Sequence, residues 1–360
     1  MSCHRPGVRE RVADFCLRFG LRAPILLAPM AGACPPALSI AVAEAGGMGA
    51  CGALLLKPDE IRAWGAAVRG ATAGPFQMNL WIPDPAPARD AVHEARIAAF
   101  LGQWGPTVDP QAGNATPPDF DAQCAAMLDS GASVISSIMG VYPPHWVERI
   151  KATGLAWFAA ATTVEEAVAA EAAGADAIVA QGMEAGGHRG AFAAARAIEA
   201  QVGLFALVPA IADAVRVPVI ATGGIADARG IVAALHLGAA AVQIGTGFLR
   251  CPEAGLPSAW ADGLARARPE DTVLTRAFSG RPGRALRTEY LRAAHAPDAP
   301  EPAPYPVQRG LSAAMRAAAT RENRLAGMQA WAGQGAALAQ ALPAAQLFAQ
   351  LWQEAQHHLG

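Results

Sequence analysis

At 360 residues, with 53% hydrophobic and 16% charged side chains, the chain can build one large barrel or two ordinary domains, and disorder is not expected. A net charge of −2 with no run of lysine or arginine argues against a nucleic-acid or anionic-membrane surface. The six cysteines (Cys3, Cys16, Cys34, Cys51, Cys124, Cys251) lack C-x-x-C spacing, which suits reduced, mostly buried thiols in a cytosolic protein and argues against metal ligation.

Arg5, Arg9, Arg11 and Arg18 are followed by no apolar signal core, so no secretory leader is expected. The uncharged stretch from Ala23 to Ala43 is long enough to span a bilayer, but Pro24, Pro29, Pro35 and Pro36 break it into strand, turn and buried helix. The first strand is Pro24–Met30; a helix follows from Pro35 or Pro36 to Ala45 and stops at Gly46-Gly47. Met48 to Leu55 is the second strand, Pro58-Asp59-Glu60 opens a helix with acids in its first turn, and Phe76–Trp81 is the third strand. Seven further prolines between Ile82 and Pro118, around a helix near Arg89–Leu101, mark an extended loop with structure of its own. Regularity returns with a helix at Asp119–Asp129 and strands at Ser133–Ile138, Leu155–Ala160 and Ala177–Ala180. Thr162 or Thr163 caps the alanine-rich helix before Gly174, and a helix over Ala206–Val215 precedes strands at Pro218–Thr222 and Ala241–Gly245.

Eight short apolar runs alternating with helical ones have no wet face, as a parallel sheet covered by helices requires. The fold class expected is α/β, a (β/α)8 TIM barrel, with a smaller helical cap inserted before the C-terminal helix. The barrel would comprise residues 1–250 and 333–360 and the cap residues 251–332, with Gln340–His358 returning to the barrel wall. A doubly wound open sheet is disfavoured because no G-x-G-x-x-G follows the first strand.

The chemistry gathers at strand ends. Gln181–Gly190 sets His188 among glycines that permit positive φ and close backbone approach to a ligand. The loops after strands seven and eight, Gly223-Gly224-Ile225 and Gly245-Thr246-Gly247, offer bare N–H groups, a hydroxyl and a helix N-terminus, as phosphate binding needs. Asn79, Gln181 and Gln243 are neutral amides able to donate and accept, and Met30 can pack a flat ligand. Neither lysine, Lys57 or Lys151, makes a Schiff-base case, and Ser136-Ser137 shows no triad.

The runs Ala28–Gly32, Glu184–Gly190, Thr222–Ala226 and Gln243–Thr246 resemble the nitronate monooxygenase (2-nitropropane dioxygenase) family, as do Ser279–Pro282 and Trp331–Gly335. The resemblance implies a flavin mononucleotide (FMN) barrel whose contacts fall on Ala28, Pro29, Met30, Asn79, Gln181, Gly186, Gly187, Gly223, Gly224, Gln243, Ile244, Gly245 and Thr246, with His188 catalytic and no metal. It further implies oxygen-dependent oxidation of alkyl nitronates, such as propionate 3-nitronate, to a carbonyl compound and nitrite. Apart from the resemblance, the protein is expected to be cytoplasmic and able to form a homodimer. The alternatives are an NAD(P)H-dependent quinone or enoyl-acyl-carrier-protein reductase on the same scaffold, and a non-catalytic FMN-binding barrel.

Overall fold

The computed structural model describes residues 6–359. Cys3 and Arg5, part of the reading above, lie outside the described residues. The first element is α1 (Val8–Phe19), a helix that the sequence reading had not assigned. The barrel strands then begin with β1 (Ile25–Leu27), β2 (Gly49–Gly52), β3 (Phe76–Trp81), β4 (Val134–Ile138), β5 (Ala156–Ala161) and β6 (Ala177–Gln181). A two-residue strand, β7 (Gly187–His188), stands outside the barrel, which resumes with β8 (Val219–Thr222) and β9 (Ala241–Ile244).

Eight parallel strands lie in the order β1-β9-β8-β6-β5-β4-β3-β2, and a bridge between Leu26 and Met48 joins the two ends. The fold is therefore an α/β barrel, its walls the helices α2 (Pro36–Glu44), α3 (Pro58–Ala71), α5 (Phe120–Leu128), α6 (Pro144–Ala152), α7 (Val164–Ala172), α8 (Leu204–Ala214) and α9 (Ala228–His236). The eighth wall helix is α14 (Ala344–Leu359), which packs against α2 and α9 as the sequence pattern anticipated. Starts are set by proline at the head of α2, α3 and α6, and by side-chain caps from Asp119 on α5, Thr163 on α7 and Asp227 on α9. The first two strands are shorter than expected, and Ala53–Leu55 is a 3-10 turn rather than strand.

Side-chain alternation sorts the strands into two layers. Trp157, Ala159 and Ala161 of β5 face the helices, whereas Phe158 and Ala160 face the barrel interior. The floor of that interior is plugged by α1: Phe15 is 1% exposed, and Phe19 meets the Phe158 ring edge-on at 4.9 Å. Burying Phe15 contributes about 1.5–3 kcal/mol. The opposite, C-terminal mouth is left for a ligand.

The stretch between β9 and α14, expected to be helical, contains α10 (Ser258–Arg266), α11 (Glu289–Ala294), α12 (Val307–Leu311) and α13 (Ala313–Arg321). It also contributes two antiparallel strands, β10 (Thr272–Thr275) and β11 (Gly283–Leu286), and β11 pairs with β7. The proline-rich excursion after β3 carries α4 (Ala91–Leu101), whose Ile97 and Leu101 share a core with Phe278, Tyr290, Val307 and Met315.

Candidate active site

The mouth of the barrel holds a cavity lined by Ala28, Pro29, Met30, Asn79, Gln181, Gly186, Gly187, His188, Gly223, Gly224, Gln243, Gly245 and Thr246. Every site residue expected from the sequence is therefore brought together except Ile244. Strand alternation turns its side chain outward into the packing between strands and helices, fully buried, where it cannot reach a ligand in the cavity.

The glycine loops form a cradle in which added side chains would collide. Gly223 and Gly224 have φ of +129° and +68°, which only glycine adopts cheaply. A Cβ on Gly186 would lie 2.5 Å from the Gly333 nitrogen, and one on Gly335 would lie 2.5 Å from the Gly224 carbonyl oxygen. The Trp331–Gly335 segment thus closes directly on the two loops. The Gly333 N–H donates to Thr246 Oγ1 at 3.0 Å, leaving the Thr246 proton available to an anion. Asp227 caps α9 immediately after Gly223-Gly224-Ile225 and aims its positive end at the same place. This donor set fits a phosphate.

Deeper in the mouth, β3 presents Gln77, Asn79 and Trp81 inward at period two. Gln77 was missed by the sequence reading, although its spacing from Asn79 was the signal. Its Nε2 donates to Leu27 O at 3.2 Å and to Gln243 Oε1 at 2.9 Å. A backbone carbonyl can only accept, so the Gln77 amide has one orientation, and Gln243 must turn its own Nε2 away as a free donor. Gln77 Oε1 is buried with no partner among the described residues. An orphaned acceptor, a spare amide donor and Asn79, whose Nδ2 bonds Ser136 Oγ at 3.1 Å, suit the mixed polar edge of an isoalloxazine ring. Gln77→Leu should leave Gln243 free to rotate and weaken flavin binding about tenfold, as loss of one buried hydrogen bond predicts; unchanged affinity in a fluorescence titration would refute the assignment.

Gln181 has a role beyond the expected one. Its Oε1 accepts from the Gly190 N–H at 2.8 Å and its Nε2 donates to His188 O at 3.1 Å, so the amide shapes the histidine loop. β7 is also pinned to β11, with His188 opposite Gly283. The imidazole is boxed by two indoles, Trp81 at 4.6 Å and Trp331 at 4.7 Å between ring centroids.

Nε2 of His188 lies 2.7 Å from Ser279 Oγ. Ser279 Oγ also lies 3.2 Å from Arg281 O and accepts from the Arg281 N–H at 3.3 Å, so its one proton serves either that carbonyl or the imidazole; Nδ1 of His188 has no hydrogen-bond partner among the described residues. Burial, reinforced by the nearby positive charges of Arg281, Arg309 and Arg316, pushes the His188 pKa down to about 3, so the ring is neutral at physiological pH.

Arg281 is neutralised by Asp84, with Nε 2.7 Å from Oδ2. Arg309 and Arg316, which line the cavity, have no carboxylate partner among the described residues. Arg316 is fixed by Ser312 Oγ, Gln329 Oε1 and Arg309 O at 2.9–3.0 Å, and burial lowers its pKa to about 10. Two cations without acids beside a neutral imidazole make a site that attracts an anion. Both arginines escaped the sequence reading because helix-borne arginines look like a solvated face.

None of the described cysteines lines the cavity. Cys34 is buried with Sγ 2.8 Å from Ala50 O, and burial raises its pKa to about 12.

The family model for nitronate monooxygenase matches residues 17–354. The chain is 38% identical to a nitronate monooxygenase of Paraburkholderia phytofirmans, covering 93% of each chain. It is 39% identical to one of Pseudomonas aeruginosa, over 94% of this chain and 98% of that one. Among solved structures, nitroalkane oxidase from Streptomyces ansochromogenes superposes with a TM-score of 0.86 at 38% identity, covering 94% of this chain and 98% of the other. FabK from Thermotoga maritima superposes with a TM-score of 0.75 at 28% identity, covering 96% of both.

Proposed function

Because the chain belongs to the nitronate monooxygenase family and is a flavin-dependent oxidoreductase, we propose that it binds FMN and uses dioxygen to oxidise alkyl nitronates, such as propionate 3-nitronate, to a carbonyl compound and nitrite. The observation that carries this reading is the single cavity in which a phosphate cradle adjoins a neutral His188 flanked by two arginines without acid partners. In this reading residues 1–250 with 333–360 are the FMN barrel and residues 251–332 the cap over it.

FMN fits the residues present. Gly223, Gly224, Gly245 and Thr246 would take its phosphate. Asn79, Gln181 and Gln243, with Gln77 behind Gln243, would meet the ring and ribityl groups, while Ala28, Pro29, Met30, Gly186 and Gly187 would shape the contact. Bound there, the flavin supplies the electron acceptor and the route to dioxygen. The protein's share is positioning. Arg309 and Arg316 draw in the nitronate anion, and the indoles of Trp81 and Trp331 keep bulk water from the imidazole. With the imidazole proton on Nε2 and donated to Ser279, Nδ1 of His188 accepts the α-proton when the neutral nitroalkane arrives instead. Arg309→Gln should raise KM for propionate 3-nitronate about 10–100-fold while leaving KM for neutral nitroethane within about twofold, the difference expected for one partly desolvated charge. Equal changes for both substrates would remove Arg309 from anion recognition.

The reading is tested by anaerobic mixing of the FMN-loaded protein with propionate 3-nitronate and, separately, with NADH and NADPH. A flavin spectral change with the nitronate alone supports it. The similarity to FabK favours one competing reading, a nicotinamide-dependent reductase, and full bleaching by NADH or NADPH without response to nitronate would select that instead. Free buried thiols support a cytoplasmic setting, and no described helix is long and apolar enough to cross a membrane. Exposed Val168 on α7 and Phe205 on α8 offer apolar surface for the homodimer, which analytical ultracentrifugation would detect.

A further inference from the structure

A second cavity, of about 530 Å³, lies beside the barrel mouth, between the proline-rich excursion after β3 and the start of α12. Leu54 and Trp81 belong to the walls of both cavities. The Trp81 indole is the partition: its ring is 4.6 Å from His188 on one side and 5.3 Å from Tyr305 on the other. The volume is in the range that holds small organic molecules.

We propose that this cavity is the subsite for the apolar substituent of the substrate, a hydrocarbon chain or ring whose nitro-bearing carbon lies at His188. The proposal rests on the nitronate reading above and adds a preference for medium-length over short substrates.

The chemistry of the walls selects an apolar occupant. Ile82, Phe120, Val307 and six prolines, including Pro83, Pro87 and Pro118, supply most of the hydrocarbon of the lining. The charged groups there are already paired within the protein, Asp84 with Arg281 and Arg89 with Glu94. Gln123 spends its amide on the carbonyls of Ala53, Leu54 and Leu56, and Asn114 accepts from Arg89 while donating to Gln111. The side-chain groups left without a hydrogen bond among the described residues are neutral, the hydroxyls of Thr116 and Tyr305, the Trp81 indole N–H and the Gln123 carbonyl oxygen, so no unpaired charge remains to hold an ion. Prolines with φ already fixed give walls that lose little entropy on binding, so the pocket is preformed.

The contrast with the neighbouring cavity is one of kind. There the arginines without acids meet a charged head; here satisfied polar groups and hydrocarbon meet a tail. A molecule with both ends fits the pair and must pass Trp81, which Leu54 and Tyr305 flank.

The test is a series of primary nitronates from ethyl to octyl, with kcat/KM measured for the FMN-loaded wild type and for Ala115→Phe and Ala86→Phe, two positions that line only the second cavity. The wild type should gain about three- to fourfold per added methylene until the cavity is filled. Each variant should lose at least tenfold with octyl nitronate and keep its ethyl nitronate rate, which together with flavin content shows that it folds. A flat wild-type series, or equal losses for short and long nitronates in both variants, overturns the subsite while leaving the nitronate reading intact. Calorimetric titration with 1-octanol separates the two ideas further. If no nitronate is turned over, octanol binding that both variants lose sustains the apolar subsite without the nitronate reading; no octanol binding by wild type overturns it.

Discussion

His188→Ala and His188→Asn should each lower kcat/KM for nitroethane about 10²–10⁴-fold, the usual worth of a positioned proton acceptor, with flavin content unchanged. The expectation follows from geometry: the ring is held between Trp81 and Trp331, its Nε2 is tied to Ser279, and Nδ1 is left bare. Asparagine retains a hydrogen-bonding amide but cannot accept the proton, so the two variants should fail together on neutral nitroalkanes. On preformed nitronates, which carry no α-proton to remove, asparagine should recover more activity than alanine. Oxygen-uptake rates for both substrate forms decide the matter, and a wild-type rate in either variant with nitroethane would remove His188 from the reaction.

The depressed His188 pKa has a further consequence. For stability, the unfolded chain protonates this histidine from about pH 6.5 downward, whereas the folded protein resists until about pH 3. The unfolded state therefore binds more protons across that window, and His188 makes the protein progressively less stable as pH falls through it. Below pH 3 the loss levels off. His188→Asn should flatten this part of the stability profile, measured by denaturant unfolding at fixed pH values.

The second large effect is expected at Gly186. A methyl there would lie 2.5 Å from Gly333 N, 2.7 Å from the Ala332 carbonyl carbon and 2.9 Å from Thr246 Oγ1. These neighbours are backbone and the cradle hydroxyl, which cannot withdraw without opening the loops that would receive the phosphate. Gly186→Ala should therefore weaken FMN binding at least about 100-fold, the loss of two or more charge-assisted hydrogen bonds, and yield a largely colourless protein. At Gly187, φ is +74° and nothing lies within 4 Å of an added Cβ, so Gly187→Ala meets no protein neighbour and its cost to the fold is the left-handed conformation, about 1–2 kcal/mol of stability. FMN binding by Gly186→Ala at wild-type affinity would show that the 332–333 segment does not brace the cradle.

Much of this molecule was legible as a string. Strand cores such as Ala177–Ala180 and Val219–Ala221 are uniformly apolar because both faces of a parallel barrel strand are covered, and that pattern needs no partner to be recognised. Helix starts at Pro36, Pro58 and Thr163 were equally local, since capping and fixed φ act within one turn. The cradle was readable because glycine is required where backbone must approach a ligand.

What tertiary structure alone decided were matters of direction and company. Ile244 and Gln243 are neighbours in sequence, yet only the closed barrel shows which of them faces its interior. Gln77 is one more polar strand residue until β1 and β9 bring Leu27 O and Gln243 to its amide. Arg309 and Arg316 are unremarkable on paper, because the lack of an acid beside a cation is a property of space. The proline excursion read as a loop because its apolar residues have no local partner; they pack on a core built some 180 residues later in the chain. Patterns satisfied within a few residues were written in the sequence, whereas charge balance, strand facing and long-range closure exist only once distant segments meet.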